Sequence, residues 1–155
     1  MRVLFLLLCA AMVSACGFQL RGSYNLPWET LHIGLPENSE LYFQIKRGIE
    51  SSSQTKVIGD AKQASASLVV LRNDQVKSMV REFQLTRTFS YRIQDADGKE
   101  LLPASQIVLQ RDMTFDDERI FAKEAEEVMI LREMQQDMVQ QLLRRLSASS
   151  RPAKR

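Results

Sequence analysis

Apolar residues recur along this chain in three ways: first without interruption, then at alternate positions, and finally at every third or fourth. The uninterrupted run extends from Val3 to Val13 behind a single positive charge, Arg2. A membrane span needs about 20 apolar residues, so this run is too short to cross a bilayer and has the proportions of a secretory leader. From Thr30 to Leu35 the residues Leu31, Ile33 and Leu35 fall on one side, a strand that Pro36 ends. Asn38 or Ser39 is then placed to cap a helix over 40–51, in which Leu41, Ile45 and Ile49 form the buried stripe. Lys56 to Ile58 reads as a short strand closed by Gly59-Asp60. Strand, helix and strand in this order predict a right-handed βαβ unit with parallel pairing.

The second half alternates for longer. Ser67 to Leu71 begins a strand expected to continue, with a bend at Asn73-Asp74, to Val80. In 83–94, Leu85, Arg87, Phe89, Tyr91 and Ile93 share one face, while Thr86, Thr88, Ser90 and Arg92 share the other. Asp95-Ala96-Asp97-Gly98 is a hairpin turn, and 106–115 returns with Ile107, Leu109, Met113 and Phe115. These three strands predict an antiparallel meander. After Asp116-Asp117, a candidate cap, nothing breaks the chain until Ser147. Val128, Leu131, Met134, Met138, Leu142 and Leu146 form an apolar stripe; Glu124, Glu127, Arg132, Glu133 and Gln140 lie opposite. Acidic residues crowd the start of this helix and Arg144-Arg145 its end, as the helix dipole favours. The expected fold is α+β, a two-layer α/β sandwich: a mixed four- to five-stranded sheet with two helices packed on one face.

The leader ends in Val13-Ser14-Ala15-Cys16, which resembles the bacterial lipobox, an aliphatic and two small residues before a modified cysteine. Cleavage there would leave Cys16 carrying a thioether-linked diacylglycerol and an N-acyl chain. Each buried methylene contributes about 0.8 kcal/mol, and two or more chains anchor stably. Gly17 follows, rather than the Asp that marks inner-membrane retention, so sorting to the outer membrane is expected. The organisation read from the sequence is a signal peptide over 1–15, a lipid-anchored tether over 16–29, an α/β domain over 30–146 and a disordered basic tail over 147–155. Trp28, the single tryptophan, is placed at the domain edge.

Charge and chemistry narrow the function. Twenty-one basic residues against 19 acidic ones give a formal charge of +2, no basis for a nucleic-acid partner. Of the two cysteines, Cys9 leaves with the leader and Cys16 is consumed by lipid, so no disulfide is expected. His32 is the single histidine and sits in a strand without a nucleophile or metal-ligand motif around it. The glycines form no phosphate loop, and Asp95, Asp97, Asp116 and Asp117 lack the spacing of a calcium loop. The reading is therefore a non-enzyme without metal or cofactor. Met129, Met134 and Met138 are read as core filling at helical spacing rather than as a soft binding surface.

Cys16-Gly17-Phe18-Gln19-Leu20-Arg21-Gly22 resembles the opening of the LPS-assembly lipoprotein family, LptE, formerly rare lipoprotein B. Glu82-Phe83-Gln84-Leu85 is similar to that family's Glu-aromatic-Gln-apolar strand entry, and Ala122-Lys123-Glu124 to the opening of its last helix. Gln141-Leu142-Leu143-Arg144-Arg145-Leu146 resembles the end of that helix. The chain departs from longer relatives in the loop before Glu82 and in its brief tail. The resemblance implies an outer-membrane lipoprotein on the periplasmic side. Its expected role is in the lipopolysaccharide translocon, plugging and helping to assemble the LptD β-barrel and binding lipopolysaccharide for delivery to the outer leaflet. The alternative is a structural envelope lipoprotein without lipopolysaccharide-binding activity. Lipopolysaccharide carries phosphates, which call for convergent Lys or Arg donors. Lys77, Arg81, Arg87, Arg92, Arg111 and Lys123 are the candidates, and the family pattern singles out Lys123 with Lys77 or Arg81.

Overall fold

Alternation along the strands reflects a sheet that helices cover on one face only. The computed structural model describes residues 24–79, 83–114 and 120–149. Strand β1 (Thr30–Ile33) turns Leu31 and Ile33 fully inward. It is two residues shorter than the alternation suggests: the Gly34 N–H still donates to the Leu68 carbonyl at 2.9 Å, but Leu35 then folds back onto the Ile33 carbonyl at 2.8 Å. Ser39 caps helix α1 (Glu40–Ser52): its Oγ accepts from the Tyr42 N–H at 3.2 Å and donates to the Pro36 carbonyl at 2.7 Å. Leu41, Tyr42, Ile45 and Ile49 are the buried side of this helix, and it runs into β2 (Lys56–Val57).

The remaining strands are long: β3 (Ala66–Met79), β4 (Phe83–Gln94) and β5 (Glu100–Met113). Sheet order is β2-β1-β3-β4-β5, with β1 parallel to both β2 and β3 and the last three strands antiparallel. A parallel unit and a meander thus share one five-stranded sheet. The β4–β5 turn is built as its residues dictate. Asp95 Oδ1 accepts from the Asp97 and Lys99 N–H groups, and Gly98 takes φ 82°, a conformation that glycine adopts without penalty.

Two departures from the expected strands have physical causes. The irregularity in β3 is not a bend at Asn73-Asp74 but a break in register between Val70 and Arg72. Leu71 is an extra residue there, 49% exposed, and it shifts the inward phase of everything after it. Beyond the break Asn73, Gln75, Lys77 and Met79 stand opposite Phe89, Arg87, Leu85 and Phe83, on the side facing the helices. Strand β5 begins at Glu100, six residues before the expected Gln106. Pro103 does not stop it because β5 is an edge strand, where a missing N–H is tolerated. Pairing also shifts register there, from Tyr91↔Ser105 to Ile93↔Leu102.

Helix α2 (Ile120–Ala148) closes the second layer and runs past Ser147, the expected start of the tail. Met134, Met138, Leu142 and Leu146 are buried as the stripe predicts, and Val139 and Leu143 join them against α1. Val128 is 57% exposed and Met129 55%, contrary to expectation for both. Past the break β3 turns Asn73, Gln75 and Lys77 to the helix side, so it offers little apolar surface there. One core holds Leu31 and Ile33, Leu68, Phe89 and Ile93, Ile107, and the inner faces of both helices, with Trp28 packed at its edge. Fully burying each such large side chain contributes about 1.5–3 kcal/mol. Val80, Phe115 and the Asp116-Asp117 cap fall outside the described residues.

Candidate anion-binding site

The register break in β3 also sets which residues of the charged end face the helices. It turns Lys77 toward the helices, opposite Leu85. There the Lys77 ammonium pairs with the Glu127 carboxylate of α2 and stands 4.6 Å from the centre of the Phe83 ring. Lys123, one helical turn before Glu127, donates to Glu126 Oε2 at 2.8 Å and reaches Thr114 Oγ1 at 3.4 Å. Of the cations predicted from sequence, Lys77 thus reaches the start of α2 from β3, while Lys123 lies beside the end of β5, with β4 between those two strands. Arg81, the third, lies outside the described residues.

Each lysine already holds a carboxylate, with side-chain exposures of 39% for Lys77 and 20% for Lys123. Partly exposed pairs of this kind contribute only about 0–1 kcal/mol. A phosphate, carrying more charge than a carboxylate, can compete for the same ammonium groups. Glu126 and Thr114 were not named from sequence, and Glu127 and Phe83 were named only as a polar-face residue and as part of a strand motif, not as partners of the lysines.

The remaining basic candidates separate. Arg92 is exposed on the opposite side of the sheet, across from Val69. Arg111 is paired at 2.9 Å with Asp137 of α2. Arg87 is only 8% exposed, between fully buried Leu85 and Phe89 on its own strand. Its Nη1 donates to Gln75 Oε1 at 3.2 Å and its Nη2 to Asn73 Oδ1 at 3.4 Å, while Nε has no acceptor. Burial pulls the Arg87 guanidinium below its ordinary pKa, and the charge of Glu40 partly opposes this; an arginine nevertheless stays protonated. No three His, Cys, Asp or Glu side chains among the described residues group closely enough to hold a metal ion, and no described helix is long and apolar enough to cross a membrane.

The sheet side away from the helices is polar and uncovered by any described element. Arg72 and Ser78, Arg92, and Gln106, Gln110 and Asp112 are exposed there with Val76 and Val108. This plan, a βαβ unit fused to a meander with both helices on one side, defines the class: it is the fold of small bacterial lipoproteins. The solution structure of an uncharacterized lipoprotein B from Nitrosomonas europaea matches with a TM-score of 0.71 and 34% identity, covering 85% of this chain and 91% of that one. A minor lipoprotein from Acinetobacter baumannii matches in fold, with a TM-score of 0.69 and 21% identity over 82% of this chain and 99% of its own.

Sequence comparison narrows the class to one family. Residues 28–146 match the model of LptE, lipopolysaccharide-assembly. The chain is also 30% identical over 152 residues to the LPS-assembly lipoprotein LptE of Pectobacterium atrosepticum, covering 90% of this chain and 80% of that protein. The chain belongs to the LptE family.

Proposed function

We propose that this chain is the outer-membrane lipoprotein of a lipopolysaccharide translocon. It is anchored through Cys16 on the periplasmic side, helps to assemble and plug the LptD β-barrel, and binds lipopolysaccharide for delivery to the outer leaflet. Family membership across 28–146 is the observation that carries this reading. The geometry is compatible with it. A barrel lumen is polar, and the uncovered sheet side offers a polar surface of the kind that could seat in one. Lys77 and Lys123, with Arg81 from the segment between β3 and β4, supply cations for lipid-borne phosphate. In this reading residues 1–15 are the cleaved leader, 16–29 the tether, 30–146 the working domain and 147–155 the tail. It assigns the chain no catalytic step.

The test is copurification from native membranes in mild detergent, with mass spectrometry of the new N-terminal peptide. The expected result is a β-barrel partner several times larger and a triacylated Cys16. Recovery of the chain alone, from cells that contain the barrel, would sink the translocon role. Unchanged surface lipopolysaccharide after depletion, with altered envelope attachment, would point to the structural alternative.

A further inference from the structure

Arg87 is a buried cation on which the charge of Glu40 acts without an ion pair. Its hydrogen-bond acceptors are the neutral amide oxygens of exposed Gln75 and Asn73, and its Nε has none. No carboxylate forms an ion pair with it among the described residues. Burying a cation without an ion-pair partner is costly. Around one cavity Glu40 faces two arginines, Arg87 and Arg132, so the lining keeps a net positive charge that an anion can meet. This cavity, of about 200 Å³, is lined by Glu40, Gln75, Val128, Leu131, Arg132 and Gln135 as well as Arg87 itself. That volume exceeds the share of one water, about 30 Å³, several-fold. Arg132 adds a second cation on the α2 side, and Val128 and Leu131 give the mouth an apolar wall.

We propose that this cavity is an oxyanion site in which Arg87 and Arg132 hold a phosphate group. The planar guanidinium suits the recognition, since it presents parallel N–H donors to two oxygens of one phosphate. Glu40 is the built-in competitor: its carboxylate stands at the start of α1 and lines the same cavity. The side chains differ from those around Lys77 and Lys123, so the site stands or falls independently of the translocon reading. The phosphate has two sources, the free ion or a phosphate monoester on an amphipathic lipid.

The experiment follows the thermal midpoint of the full chain in maltoside micelles as inorganic phosphate is added, with chloride at matched ionic strength. A ligand held only by the folded state raises the midpoint saturably. Phosphate is expected to do so and chloride is not. Arg87→Met keeps the buried stem but not the charge, and should weaken the phosphate response about tenfold, as loss of one charge-assisted contact would. Glu40→Gln should move the response to lower phosphate. If Arg87→Met fails to fold, the wild-type Arg87 Nε–H resonance serves instead: it should shift with phosphate while those of exposed Arg72 and Arg92 do not. Micelles doped with phosphatidate distinguish the sources. A response at lower phosphate than the free ion needs assigns the lipid; an equal one assigns the ion. An unaltered response in Arg87→Met, or an Nε–H shift no larger than those of the exposed arginines, overturns the proposal.

Discussion

Gly48 of α1 lies so close to Leu143 of α2 that a Cβ built on the glycine would stand 2.8 Å from the leucine Cδ1. The two helices approach through this missing side chain, with Val139 alongside. Gly48→Ala sets two effects against each other. Alanine gains about 0.8–1.0 kcal/mol of helix propensity, but overpacking a filled core costs about 1–3 kcal/mol. Leu143 is only 1% exposed and has little room to retreat, so a net loss of about 1 kcal/mol is expected. Urea unfolding measures it, and Leu143→Val in the Gly48→Ala background should recover part of the loss.

The Ser39 cap ties the same helix to the chain before it. Its hydroxyl satisfies a first-turn N–H and the Pro36 carbonyl together. Ser39→Ala should cost about 1 kcal/mol, while Ser39→Asp should keep most of the stability, since a carboxylate also accepts from that N–H. Equal unfolding midpoints for wild type and Ser39→Ala would show that the cap contributes nothing.

These local features were legible in the sequence because each depends on neighbours a few residues away: Ser39 before its helix, Leu41 with Ile45 and Ile49, and the Asp95–Gly98 turn. The phase of β3 was not. Val69, Val70 and Leu71 are all apolar, so alternation there cannot say which residue is the extra one, and everything downstream depends on that choice. The facing of Asn73, Gln75 and Lys77 toward the helices follows from it. The lysines themselves came from a family resemblance, but their partner could not: Glu127 meets Lys77 across 50 residues of chain. Arg87 lay between, since Leu85 and Phe89 on either side suggested burial while nothing local indicated a cavity.

Tyr91 gives the fold an alkaline limit. It is 3% exposed, and burial raises its phenol above the ordinary 10.0, with the charge and hydrogen bond of Arg145 acting in the opposite direction. The folded state therefore holds this proton more tightly than the unfolded chain does. Its contribution is fully present below about pH 10, the unfolded value, and is lost as pH rises through the raised folded value. Unfolding free energy should accordingly fall more steeply above pH 10 in wild type than in Tyr91→Phe. Parallel curves for the two proteins would assign the alkaline loss to other groups.

At the charged end the two lysines and their carboxylates make opposite predictions for one ligand. Lys77→Gln and Lys123→Gln each remove a cation that a phosphate would use, and each should weaken lipopolysaccharide binding about tenfold, or about 1.4 kcal/mol. Neither should move the thermal midpoint by more than a degree or two, because the pairs they break are partly exposed and worth about 0–1 kcal/mol. Glu127→Gln removes the competitor for Lys77 and should strengthen binding. A purely structural Lys77–Glu127 pair predicts something else: both substitutions would lower stability alike and neither would change affinity. Binding measured for the three variants beside wild type, at one fixed salt concentration because screening reaches about 8 Å at physiological ionic strength, separates the two. Stronger binding by Glu127→Gln with weaker binding by Lys77→Gln is the combination that only a ligand-competing pair produces.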